Sequence, residues 1–123
     1  MSQTILCVDD NSDELALRRA LLETRGFRVL TATEGFAAIE IAMREPLALV
    51  VLDYRMDAMD GEAVAKVLRA NQPGLPILVL SGYDVPDRLL RVADVFVPKA
   101  ESVDAFLAQV EKLARAEGGE AVA

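Results

Sequence analysis

Apolar residues in this chain arrive in short unbroken runs, separated by stretches in which they recur at helical spacing. Thr4-Ile5-Leu6-Cys7-Val8 is the first run, and it stops at Asp9-Asp10. It is too short for a helix and apolar on both sides, which predicts a strand buried on both faces. Asn11, followed three residues later by Glu14, predicts a capped helix start, and that helix runs to about Arg25, where Gly26 stops it. Phe27 to Ala32 is a second strand of weaker pattern. Phe36, Ile39, Ala42 and Met43 form the apolar stripe of a second helix, which Pro46 ends.

The alternation continues. Leu47 to Leu52 is the most apolar run and ends at Asp53. Val64, Val67 and Leu68 mark a third helix, which gives way to Asn71, Pro73 and Gly74. Pro76 to Leu80 is a fourth strand ending at Ser81-Gly82, and Val95-Phe96-Val97 is a fifth ending near Lys99. Val103, Phe106, Leu107, Val110 and Leu113 stripe the last helix. Residues 118–123 carry no periodicity and are expected to form a mobile tail, leaving 1–117 as one domain. Five strand–helix repeats predict an α/β fold with a parallel sheet covered on both faces. The interval from Gly82 to Asp94 is close to the roughly 10–12 residues that a parallel crossover needs, so its helix is shortened to two turns at most. Pro86 suits its first position, with Leu89, Leu90 and Val92 as apolar contacts.

Composition narrows the function classes. A chain of 123 residues with 53% apolar and 27% charged residues folds around one core and is neither disordered nor fibrous. No apolar run approaches the roughly 20 residues of a membrane span. The N-terminus lacks a basic stretch leading into an apolar one, the mark of a signal peptide. The lone Cys7 fits a reducing cytoplasm. There is no histidine, which excludes His-built zinc sites and a phosphohistidine on this chain itself. A net charge of −7 opposes nucleic-acid binding. Arg18, Arg19, Arg25 and Arg28 make either a solvated helix face, the simpler reading, or a local docking patch.

The polar residues stand where parallel α/β sheets bind ligands, just past the carboxyl ends of strands. Asp9 and Asp10 end the first strand, Asp53 the third, Ser81 the fourth and Lys99 the fifth. Singly, each is an ordinary turn, cap or surface residue; together they place chemistry on one rim. In a doubly wound sheet of order 2-1-3-4-5 the first and third strands are neighbours, so Asp9, Asp10 and Asp53 converge. Two such charges at 4 Å repel by about 4 kcal/mol at an effective dielectric of 20. Such a cluster calls for a cation or a raised pKa. With oxygen ligands only, a hard divalent ion is suited, and Mg²⁺ works naturally with phosphate oxygens. Lys99 and the Ser81 hydroxyl would surround a phosphoryl group, and the central Asp53 is the candidate nucleophile.

These residues resemble the receiver domain of two-component response regulators, of the single-domain type. The resemblance runs from about Thr4 to Arg115. It rests on Val8-Asp9-Asp10-Asn11, Leu52-Asp53-Tyr54-Arg55-Met56, Met59-Asp60-Gly61, Leu80-Ser81-Gly82 and Phe96-Val97-Pro98-Lys99 taken jointly. It implies a flavodoxin-like (βα)5 fold. It implies that Asp53 takes a phosphoryl group from a phosphohistidine on a sensor histidine kinase or histidine phosphotransfer protein. Mg²⁺ would be held by Asp9, Asp10, Asp53 and the backbone carbonyl of Arg55. Ser81, Gly82 and Lys99 would bind the phosphoryl group, and Phe96 would change rotamer with Ser81. Arg55 and Tyr83 follow Asp53 and Ser81 by two residues each and would flank the phosphoryl group, where they would slow hydrolysis.

Departures from the pattern are Asp57, where Pro usually follows Met, and Ala100, where Pro usually follows Lys. The second favours a trans bond at Lys99–Ala100, because a non-proline cis bond costs about 2.5–4 kcal/mol. The segment from Gly82 to Asp94 has few apolar anchors and begins beside Ser81, so it is expected to be the switching part, with a monomer before phosphorylation. Three other readings are kept. One is a pseudo-receiver that is never phosphorylated, and another is a receiver cut from a hybrid histidine kinase. The third is an aspartyl-phosphate phosphatase of the haloacid dehalogenase type, which Arg55 disfavours by standing where that family needs a second Asp.

Overall fold

The structure is a computed structural model, and it describes residues 3–54, 61–82 and 87–119. Among these residues five strands and five helices alternate: β1 (Thr4–Val8), α1 (Ser12–Glu23), β2 (Arg28–Ala32), α2 (Gly35–Arg44), β3 (Leu49–Asp53), α3 (Gly61–Asn71), β4 (Ile77–Ser81), α4 (Asp87–Leu90), β5 (Val95–Pro98) and α5 (Val103–Gly119). All neighbouring strands are parallel, in the order β2-β1-β3-β4-β5. The α/β class and the strand order expected from the sequence are both observed.

The sheet separates two apolar layers. On one face Leu6, Val8, Val50, Leu52, Ile77 and Val79 pack with residues of α2, α3 and α4. On the other, Ile5, Cys7, Val51, Leu78 and Leu80 pack with α1 and α5. Alternate residues of one strand therefore feed opposite layers. Every residue of β1, β3 and β4 is buried, which is why those runs read as continuously apolar. The edge strands β2 and β5 are only partly buried, which accounts for the weaker apolar pattern of β2.

Helix boundaries follow local chemistry. Asn11 has extended backbone and its side chain accepts the N–H groups of Asp13 and Glu14, so the expected cap is present. Gly26 takes φ +88° after α1, a conformation that favours glycine. In α2 the structure corrects the sequence reading. Phe36 and Met43 are 72% and 66% exposed, while Ala38 and Ala42 face the sheet. A residue two places along a helix lies about 200° round the axis, so Phe36 and Ala38 cannot share a face. The small alanines let α2 sit close, and the bulky residues point away. Val103 is likewise half-exposed, whereas Phe106, Leu107 and Val110 of the α5 stripe are buried.

The β4–β5 crossover is as short as expected, with α4 a single turn. Leu89 is fully buried beneath it, with Val92 and Ala93 packed alongside. Arg69 of α3 holds the crossover from the side. Its guanidinium donates to Val92 O at 2.9 and 3.0 Å and to Leu75 O at 3.0 Å, and it pairs with Asp94 Oδ2 at 2.6 Å. The same Asp94 oxygen accepts the Ile77 N–H at 2.8 Å. The later half of the segment expected to switch is thus well anchored, and Pro86 lies outside the described residues. Among the described residues no peptide bond is cis, so Lys99–Ala100 is trans. Helix α5 continues through Gly118 and Gly119, two residues beyond the expected domain end. The Ala-rich stretch that precedes them favours helix strongly enough to carry it on.

Candidate functional site

Parallel pairing brings the strand ends to one rim. Asp9 follows β1 directly and its N–H donates to Ala32 O at 3.1 Å. Asp53 is the last residue of β3, paired to Leu80. Ser81 closes β4, and its carbonyl accepts the Lys99 N–H at 2.8 Å, which fixes the start of the Lys99 loop. Asp9, Asp53 and Ser81 are buried, whereas Asp10 is exposed. Together with Asn11, Glu14, Gly82 and Lys99 they line a cavity of about 260 Å³.

One carboxylate oxygen from each of Asp9, Asp10 and Asp53 lies within 4.8 Å of the other two. Three hard oxygen donors at that spacing fit a divalent cation such as Mg²⁺. Asp9 Oδ2 supports the fit, because it is buried without a well-aligned hydrogen bond. Lys99 Nζ stands 3.4 Å from Asp53 Oδ1, 3.3 Å from Glu14 Oε1 and 4.0 Å from Asp9 Oδ2. A cation is therefore already shared among three carboxylates.

Asp9 is held by a backbone donor on one oxygen and a guanidinium on the other. Its Oδ1 accepts the Asn11 N–H at 2.9 Å, and its Oδ2 faces Arg18 Nη2 at 2.8 Å. Burial opposes its ionisation more than any other single influence. The Asn11 N–H and the Arg18 and Asp53 side chains outweigh burial and hold the carboxyl below its ordinary value.

Arg18 is the residue that sequence reasoning misplaced. It belongs neither to a solvated face nor to a docking patch, being only 8% exposed. Arg19, Arg25 and Arg28 do lie outward, in ion pairs with Glu23, Glu111 and Glu45. Arg18 lies between Leu15 and Leu22 on the buried stripe of α1, at i+3 and i−4, and that spacing was the available signal. Glu14, expected only as a capping residue, also reaches the site, bridging Arg18 at 3.2 Å and Lys99 at 3.3 Å.

Phe96 sits on β5 opposite Val79, partly buried against the layer that contains Leu89. Arg55 and Tyr83, as well as Asp57, lie outside the described residues. Beside the cavity a second hollow of about 170 Å³ opens between α1 and the β5–α5 connection, walled by Leu17, Arg18, Val97, Val103 and Phe106.

The response regulator receiver domain family matches residues 5–111. The chain belongs to that family. It is 36% identical over 124 residues to the transcriptional regulatory protein PrrA of Mycobacterium tuberculosis, covering 98% of this chain and 53% of PrrA. It is 38% identical over 84 residues to the sensor protein GacS of Pseudomonas syringae pv. syringae, covering 64% of this chain and 9% of GacS. The receiver thus spans about half or less of these relatives. Among solved structures, a CheY-like receiver from Methanospirillum hungatei superposes with a TM-score of 0.91 at 20% identity, covering 98% of this chain and 99% of that one, and so shares the fold. The response regulator TrrA of Thermotoga maritima, in complex with Mg²⁺-BeF, gives 0.86 at 29% identity, covering 90% and 98%. Among the described residues of this receiver, no helix is long and apolar enough to cross a membrane.

Proposed function

We propose that this receiver is a phosphoacceptor: Asp53 takes a phosphoryl group from a phosphohistidine on a sensor histidine kinase or histidine phosphotransfer protein. The observation that carries the reading is Asp53 itself, buried at the end of β3, with two carboxylates beside it and Lys99 3.4 Å away. A carboxylate so placed has a cation beside it and is open to an incoming phosphorus. Asp53 attacks the phosphorus, a P–O bond forms, the P–N bond of the donor breaks, and the electron pair leaves with the imidazole. Lys99 turns from Glu14 and Asp53 to the phosphoryl oxygens, and the Ser81 hydroxyl donates to another.

Asp9, Asp10 and Asp53, with the backbone carbonyl of Arg55, would hold Mg²⁺, which supplies charge neutralisation for the phosphoryl oxygens when bound. The similarity to TrrA, whose solved structure is a complex with Mg²⁺-BeF, supports Mg²⁺ as the ion. Exposed Leu17 and Val103 beside the mouth give a protein donor apolar surface to rest on.

The protein works as a signalling module in the cytoplasm, not as an enzyme with turnover. Gly82 and Phe96 move with Ser81 and pass the change to a downstream protein, and Arg55 and Tyr83 slow hydrolysis. Acid-labile phosphate incorporation from acetyl phosphate tests the assignment. The parent chain incorporates phosphate in Mg²⁺ and loses that capacity on chelation, and Asp53→Asn incorporates none. Equal labelling of Asp53→Asn removes Asp53 from the role, and no labelling of a folded, Mg²⁺-bound parent favours a pseudo-receiver.

A further inference from the structure

One buried charge has no part in that chemistry. Arg18 is 8% exposed, its Nη2 lies 2.8 Å from Asp9 Oδ2, and its Nη1 has no hydrogen-bond partner although buried. A guanidinium costs a great deal to bury and normally fills its donors. Here the contact with Asp9 is a charge contact without good hydrogen-bond alignment, since Asp9 Oδ2 also lacks such a bond. Asp9 Oδ1 takes the Asn11 N–H and Arg18 Nη2 bonds Glu14 Oε1 at 3.2 Å, which leaves Asp9 Oδ2 and Arg18 Nη1 as the unsatisfied atoms of the pair.

Among the described residues, four carboxylates, those of Asp9, Asp10, Glu14 and Asp53, line this cavity with the cation of Lys99, and Arg18 stands behind them against Asp9 and Glu14. Among these described groups two negative charges remain, the charge of one divalent ion. Without Arg18 three would remain, and the pocket would draw the ion in more strongly. Arg18 also faces Asp9 Oδ2, the buried oxygen without a hydrogen bond. Its anchorage is firm, because Asn11 caps α1 and Leu15 and Leu22 are buried on either side.

We infer that Arg18 is an internal counter-cation for Asp9, a positioning residue that competes with the divalent ion and sets its affinity. This rests on reading Asp9, Asp10 and Asp53 as the ion site. Arg18 takes part of the charge the ion would neutralise and repels the ion from a fixed place in low dielectric. When the ion is absent Arg18 keeps buried Asp9 paired, so the empty pocket keeps its shape. With an ion bound, Asp9 would share its charge between the ion and Arg18. Phosphorylation would then depend on Mg²⁺ concentration over a range that Arg18 determines.

Calorimetric titration of the full chain with Mg²⁺ alone tests this, beside thermal unfolding with and without Mg²⁺. Arg18→Met removes the charge and fits the apolar stripe of α1. Arg18→Gln removes the charge but keeps a donor beside Asp9, and serves if the Met variant does not fold. Both should bind Mg²⁺ at least tenfold more tightly, about 1.4 kcal/mol, and unfold at lower temperature only when Mg²⁺ is absent. Arg18→Lys keeps the charge and should stay within about threefold of the parent. Unchanged or weaker Mg²⁺ binding in both neutral variants overturns the inference and leaves the ion site standing. Binding by none of the proteins overturns the ion site and the inference with it.

Discussion

Lys99 Nζ lies 3.4 Å from Asp53 Oδ1, so the end of β5 reaches the end of β3 across the whole width of β4. This reach is possible because the Lys99 N–H is tied to Ser81 O, which starts the side chain from the rim. Replacing Lys99 by Met removes the cation shared by Asp53, Glu14 and Asp9. The expected outcome is a loss of about 10²-fold in the rate of phosphate incorporation, with Mg²⁺ binding retained. Single-turnover labelling beside calorimetry separates the two effects.

Gly61 opens α3 against the strand that carries Asp53. A Cβ there would lie 2.7 Å from Asp53 O and 2.8 Å from Tyr54 Cα, both backbone atoms that cannot swing aside. The Gly61 N–H also donates to Tyr54 O at 2.8 Å. Gly61→Ala should cost about 1–3 kcal/mol in urea unfolding and slow phosphorylation by displacing Asp53. An unchanged unfolding midpoint would show that β3 and α3 can separate freely.

Cys7 gives a pH dependence of definite sign. Burial in the middle of the sheet pushes its thiol up from 9.0 to about 12. Between those values the unfolded chain releases the proton and the folded chain keeps it. Stability is therefore full below pH 9 and falls by about 1.4 kcal/mol per unit above it. The advantage of the parent over Cys7→Ala, measured by urea unfolding, should shrink by about that amount from pH 8 to pH 10. A constant difference would mean that the thiol ionises in place.

Arg69 is expected to carry the crossover. Arg69→Met leaves Val92 O and Leu75 O without the guanidinium and Asp94 Oδ2 with the Ile77 N–H alone. A cost of about 2–3 kcal/mol follows from exposing such groups. Amide exchange of Val92, Ala93 and Asp94 should quicken while that of β1 and β3 keeps its order. Uniform quickening across the sheet would instead mark a global loss.

Much of this was legible in the residues. Leu6, Val51 and Leu78 lie in runs with no polar side, and a strand covered on both faces is the only short element that uses such a run. Asp9, Asp53, Ser81 and Lys99 could be placed because each terminates one of those strands. Phe36 and Met43 were misjudged because apolar character at helical spacing marks a stripe but not its direction, and the side facing the sheet belongs to Ala38 and Ala42. Arg18 was misjudged for the opposite reason. A charged residue is taken as outward by default, and only its place between Leu15 and Leu22 argued otherwise. What joins it to Asp9 is a contact between α1 and the end of β1, which no local pattern records.

The buried thiol has a practical side. The chain has one cysteine and no tryptophan, and the cysteine is sealed inside the sheet. To a thiol-reactive dye, or to light that excites tryptophan but not the two tyrosines, the folded molecule is close to a blank background. Gly82, next to Ser81, has open space where a side chain would go. A cysteine or tryptophan substituted at that one place would report alone on events at the rim, with no native signal to subtract.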